Sequence, residues 1–190
     1  MNRRTTIKAL LGIGLVTAIY PLYKYVSVHA AIDRSAFFDR RDLIAELAET
    51  IIPATETPGA KDAKVQDFII KMLIDCTPIT EQNIFLEGLN DVEKYCVKNY
   101  NKTFIQCSLL QRIEVLTDFE DRDSFSIEIF NRLHKKLIGE SFFRILKNLT
   151  IEGYCTSELG ATKGLAYDYI PGKYEACIPL QPNQKSWATK

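Results

Sequence analysis

Hydrophobic positions recur at helical spacing through most of this chain. In RRDLIAELAETIIP the residues Leu43, Ile44, Leu47 and Ile51 share one helix face, and Pro53, which has no amide proton to give, marks where the period stops. The connection PATETPGAKDAK is rich in turn formers, and Val65, Phe68, Ile69, Met72 and Leu73 then begin a second stripe. Beyond Pro78, Thr80 can cap a third helix that turns Ile84, Leu89, Val92 and Cys96 inward and ends near KNYNK. Ser108 and Gln111 have the spacing of a capping box ahead of Leu109, Leu110, Ile113, Leu116 and Phe119, which predicts a fourth helix. Across residues 124–150 the apolar positions Ile129, Leu133, Leu137, Phe142, Ile145 and Leu149 keep the period, with Gly139 as a break between two pieces. No long alternation of apolar and polar residues predicts a sheet. The expected fold is mostly α, a single helical bundle-like domain, with an irregular C-terminal tail from residue 151 onward that lies over the bundle or hangs free.

The N-terminus follows a different pattern. MNRRTTIK puts Arg3, Arg4 and Lys8 ahead of ALLGIGLVTAIY, an uncharged apolar run. Paired arginines before a short apolar segment resemble the twin-arginine export signal, an address read by a receptor. The strict pattern has Ser or Thr before the arginines and Phe at Thr6, and this chain departs from both. Val28-His29-Ala30 offers small residues for cleavage, so residues 1–30 read as a signal and residues 31–190 as the domain. The alternative is a retained anchor, since apolar character continues through Tyr25 and Val26 past Lys24, although the uninterrupted run is short for a membrane span.

Charge narrows the partners. Lys and Arg number 24 against 24 Asp and Glu, and removing residues 1–30 takes away four basic side chains and no acidic one, which leaves the domain mildly acidic. No cluster of Lys and Arg forms the footprint of a nucleic-acid binder. Among Cys76, Cys96, Cys107, Cys155 and Cys177 there is no CxxC pair, and His134 is the one histidine beyond the signal, so a metal or covalent haem site is not expected in this chain. An exported domain can form disulfides, and Cys155 and Cys177 bracket much of the glycine- and tyrosine-rich segment, while Cys76 and Cys96 read as buried free thiols on helix faces.

A search for catalytic sets finds none with a recognisable local pattern. His134 sits in NRLHKKL between cations on an expected helix, where a solvated side chain is the ordinary outcome. Glu49 and Glu56 flank a loop, and Lys61 offers them an ordinary ion pair. There is no GxGxxG after a strand, no GxxxxGK[ST] and no GxSxG.

Two blocks in order carry a family resemblance. Ile51-Ile52-Pro53, Thr55, Thr57-Pro58-Gly59-Ala60, and then Leu149-Thr150, Gly153-Tyr154, Thr156-Ser157-Glu158, Pro171-Gly172 and Pro179-Leu180 resemble the gluconate 2-dehydrogenase subunit 3 family. The likeness covers nearly all of the expected mature chain, with Cys155 standing where the family commonly has an aromatic residue. It implies a non-catalytic small subunit without a cofactor of its own. It also implies a partner large subunit carrying FAD and oxidising sugars, polyols or sugar acids, often with a haem-bearing cytochrome subunit. The candidate partner-binding residues are Tyr154, Thr156, Ser157, Glu158, Tyr167, Tyr169, Pro171 and Gly172, joined by Pro53, Thr55, Thr57, Pro58 and Gly59. Tyrosine supplies apolar area with a polar tip, which suits an interface, but the same residues can instead fill gaps in their own bundle. Two other roles stay open: a transient membrane-tethered assembly factor, and an independent periplasmic enzyme using His134.

Overall fold

The computed structural model describes residues 29, 31–123, 139–170, 172, 177, 179–180 and 182–188. Arg3, Arg4, His134 and Pro171 lie outside the described residues. The helices are α1 (Ser35–Asp39), α2 (Arg41–Ile51), α3 (Val65–Cys76), α4 (Ile79–Tyr100), α5 (Leu109–Asp123) and α6 (Phe142–Thr156). A 3-10 turn at Phe104–Gln106 precedes α5, and a π-type turn at Gly160–Gly164 follows α6. Among the described residues there is no strand, only an isolated parallel bridge between Ala166 and Trp187.

The buried side chains form one cluster with α6 through its middle, and α2, α3, α4 and α5 all pack on α6. Its stripe of Phe142, Phe143, Ile145, Leu146, Thr150, Gly153 and Tyr154 recurs every three or four residues, as a helix surrounded by neighbours requires. Ser141 opens the helix by accepting the Arg144 N–H at 3.4 Å. Gly139, at φ 105°, stands two residues before that cap in a conformation that favours glycine, and the helical piece expected ahead of it lies outside the described residues. Gly88 on α4 leaves the space that the Phe142 ring fills: a Cβ there would stand 2.5 Å from the Phe142 Cβ.

Three expectations change. The segment from residue 151 is not an irregular tail at its start, because α6 runs on to Thr156. Its period is carried by Gly153 and Tyr154, and a glycine packed against Val65 and Phe68 of α3 does not register in a hydrophobic pattern. Thr80 is not the cap of α4, which begins a residue earlier behind Pro78, whose fixed φ suits a helix start. In α5 the inward stripe is Val115 and Leu116, both buried, with the half-buried Arg112 and Phe119, whereas Leu109, Leu110 and Ile113 face solvent at 58%, 80% and 45% exposure. A hydrophobic pattern misplaces this stripe because its first member is an arginine, whose guanidinium lies over the Phe104 ring 5.5 Å from the ring centre. The capping box itself is formed, with Gln111 Oε1 accepting the Ser108 N–H at 3.0 Å and Ser108 Oγ accepting the Gln111 N–H at 3.4 Å.

Candidate functional site

Residues 53–61, between α2 and α3, are held from both sides. Glu49 accepts the Ala54 N–H at 2.9 Å with one oxygen and the Lys61 N–H at 2.8 Å with the other, which staples the two ends of the loop together. Inside it, the Thr55 N–H donates to the Thr57 carbonyl at 3.0 Å and the Ala60 N–H to the Ile52 carbonyl at 2.9 Å. Gly59 is buried under the Glu49 carboxylate, and a Cβ there would also press to 2.6 Å from the Ala54 nitrogen. From α6, the Tyr154 hydroxyl donates to the Pro58 carbonyl at 2.7 Å while its ring lies against Gly164. Ser157 donates to the Tyr154 carbonyl at 2.7 Å and accepts the Gly160 N–H at 3.0 Å, so it closes the π-type turn.

The two blocks singled out in the sequence therefore meet in space. They meet to hold each other: Tyr154, Ser157, Pro58 and Gly59 have their polar atoms or their volume committed within the domain. Thr57 is half-buried, and Pro53 and Thr55 are exposed at the loop's outer side. Thr156 is exposed with its hydroxyl turned back to the Glu152 carbonyl at 2.7 Å. Glu158, Tyr167, Tyr169 and Gly172 face solvent, Tyr169 at 85% exposure.

A second clasp, which sequence reasoning missed, centres on Glu46. One carboxylate oxygen takes Lys61 Nζ at 2.6 Å and the other takes Arg112, so the loop, α2 and α5 share one anion. Arg112 also donates to the Ile105 carbonyl at 2.6 Å and the Cys107 carbonyl at 3.1 Å, tying in the 3-10 turn. Burial opposes ionisation of Glu46, but its hydrogen bonds to Lys61 and Arg112 outweigh that and hold its pKa below the ordinary value. A carboxyl depressed in the folded state contributes stability at pH values above its unfolded pKa and loses it as pH falls through the folded one. Melting temperature should therefore fall as pH drops below about 4.3, the unfolded glutamate value. Glu46→Gln should lose about 1.5 kcal/mol at neutral pH, as expected for a hydrogen bond to a charged group, and show a shallower acid decline. Circular dichroism melts of both proteins from pH 7 to pH 3 check this.

Several apolar side chains of α5 face outward together. Leu109, Leu110 and Ile113 on α5 and the adjacent Ile105 stand in solvent. Ile113 also lines a groove of about 200 Å³ with Ile51, Leu116 and Phe143, next to the start of the 53–61 loop. The signal that could have found this face is the apolar run Leu109-Leu110 beside an already complete inner stripe: α5 carries more apolar residues than one face can bury. Of the two cysteines expected to be buried free thiols, Cys96 is buried and Cys76 is exposed; Cys107 is buried, and Cys155 and Cys177 are free thiols. Among the described residues no group of His, Cys, Asp and Glu could hold a metal ion, and no helix is long and apolar enough to cross a membrane.

These features define a small all-α domain that spends its polar side chains on fixing its own loops and presents an apolar helix face outward. It belongs to the gluconate 2-dehydrogenase subunit 3 family, whose sequence model matches residues 39–172. That span holds the 53–61 loop, α6 and the turn after it, so the family match and the internal clasp describe the same residues. By its name, the family is one subunit of a multi-subunit gluconate dehydrogenase. No curated protein and no solved structure matches the chain.

Proposed function

We propose that this chain is the non-catalytic small subunit of a periplasmic dehydrogenase complex and supports the folding, export or stability of a partner FAD-dependent subunit. That partner oxidises sugars, polyols or sugar acids and passes electrons on, in some complexes through a haem-bearing third subunit. The observation that carries the reading is the exposed apolar face of α5 in a member of a subunit family: a helix that leaves Leu109, Leu110 and Ile113 in solvent is completed by another protein. The partner docks there, and the exposed tail tyrosines Tyr167 and Tyr169 add outer contacts. The paired Arg3 and Arg4 direct the complex through a twin-arginine route, which suits a small subunit that travels with a folded, flavin-loaded partner.

Purifying the tagged full chain from its host tests this. The expected result is a co-purifying flavoprotein in equal amount, with flavin absorption and sugar-acid oxidation in the complex and neither in the isolated chain. Substoichiometric recovery identifies an assembly factor instead, and flavin or turnover in the isolated chain overturns the proposal. Replacing Arg3 and Arg4 together by Lys should leave both proteins in the cytoplasm.

A further inference from the structure

The outward face of α5 changes character along its length. Each residue of a helix advances by about 100°, which sets Leu109, Leu110 and Ile113 in one stripe with Glu114, Thr117, Glu120 and Asp121. Every member of that stripe is exposed. It is apolar at its start, where Ile105 of the preceding 3-10 turn extends it, and acidic toward its end. Thr117 stands at the divide with its hydroxyl donated back to the Ile113 carbonyl at 2.9 Å. The two cations of α5 do not offset the acidic end, because Arg112 is held by Glu46 and Arg122 by Asp118. Glu120 and Lys147 stand on the wall of the groove that Ile113, Leu116 and Phe143 line. Lys147 Nζ meets Glu120 Oε1 at 2.7 Å with both side chains about half exposed, a screened pair that leaves the carboxylate open to a second cation.

We propose that the α5 face receives a basic amphipathic segment of the proposed flavoprotein partner, which sets apolar side chains on Leu109, Leu110 and Ile113 and Lys or Arg on Glu120 and Asp121. The inference rests on the docking reading above and adds the chemistry of what docks. Ile113 and the two carboxylates are seven and eight residues apart, so the partner's cations sit about 10–12 Å beyond its apolar anchors. Charge decides among the occupants of such a face. Helices that lie on an anionic membrane carry Lys and Arg beside their apolar stripe, and this stripe carries carboxylates, which such a surface repels. A second copy of the chain fits no better. Paired antiparallel, the two stripes would bury carboxylates against leucines, and paired parallel they would set carboxylate against carboxylate. A basic segment satisfies both ends: opposite charge steers the encounter, and the apolar end holds the complex once formed.

The test uses the tagged full chain, co-purified with the flavoprotein from its host, and reads the flavin retained. Charge reversal by Glu120→Lys with Asp121→Lys should lower retention roughly tenfold or more at low salt. That deficit should shrink as salt rises from about 0.05 M to about 0.5 M, because screening shortens the reach of the charges. Both positions are exposed, so the isolated variant should melt close to the parent. If it unfolds, the neutral pair Glu120→Gln with Asp121→Asn takes its place, with a smaller loss and the same dependence on salt. Retention unchanged by either charge variant at low salt, while Leu110→Asp with Ile113→Asp abolishes it, overturns the basic segment and leaves the docking reading standing. Retention unchanged by the aspartates as well removes the docking reading and the inference with it. Binding of the parent chain to phosphatidylglycerol vesicles, or a dimer of the isolated chain, either one lost in Leu110→Asp, would give the face to a membrane or to a second copy and overturn the inference.

Discussion

Phe85→Ala should be the most damaging single truncation in the domain, lowering stability by about 3–5 kcal/mol and the melting temperature by roughly 10 °C or more. Phe85 is fully buried on α4, with its ring centre 5.2 Å from that of Phe142 on α6 and 6.4 Å from that of Phe37 on α1. Phe37 is the one buried residue of α1, so the same truncation removes the floor on which that five-residue helix rests. The cavity cannot readily collapse, because Phe142 is already pinned between Gly88 and Phe119, its ring centre 5.9 Å from that of Phe119. Leucine at the same position refills most of the volume and should cost less than half as much. Thermal melts of the two variants followed at a helical wavelength measure the difference; equal losses would mean that the aromatic contacts, and not the filled volume, hold α1 and α6 to α4.

What the sequence made legible and what it hid have a common physical cause. Periodic apolar residues with side chains large enough to count, such as Leu43, Leu47, Ile69, Leu89 and Val92, announced α2, α3 and α4, and each is buried. Where burial falls to a glycine or a charged residue, the pattern went silent. Gly153 lets α6 approach α3 by having no side chain, and Arg112 occupies an inner position of α5 because Glu46 and two carbonyls neutralise and satisfy it. The same cause explains the site. Tyr154, Pro58 and Gly59 were legible as special residues, because their types are poor fillers of an ordinary helix stripe. Their partner in space was not: the hydroxyl of Tyr154 and the carbonyl of Pro58 are 96 positions apart in the chain, and no local spacing encodes that bond. The α5 face was hidden in the opposite sense, by residues that looked too apolar to be outside.

Placing Asp at both Leu110 and Ile113 should release the proposed flavoprotein partner while leaving this domain folded. The two side chains are 80% and 45% exposed, so a charge at either meets water in the free chain and costs the fold little. In the complex the same charges would be buried against an apolar partner without a counter-ion, a cost of several kcal/mol that side-chain truncation alone would not impose. Loss of an interface anchor weakens binding by about 2 kcal/mol or more, roughly thirtyfold, and two buried charges should exceed that. The helical spectrum and melting temperature of the isolated variant should stay within a few degrees of the parent, and co-purification with the flavoprotein should fail. Tyr167→Ala with Tyr169→Ala forms the comparison. Tyr169 is 85% exposed in a segment anchored by one bridge and by Lys185 Nζ on the Lys163 carbonyl at 2.5 Å, and if the α5 face is the anchor the loss of these tyrosines should weaken recovery only partially. Should the tyrosine pair release the partner completely while the aspartates leave recovery unchanged, the anchor is the tail and the α5 face serves another contact. Should the aspartates unfold the isolated chain, Ile113 belongs to its own core through the groove with Ile51 and Phe143, and Leu110→Asp alone, on the most exposed residue of the face, then decides whether the partner sits there.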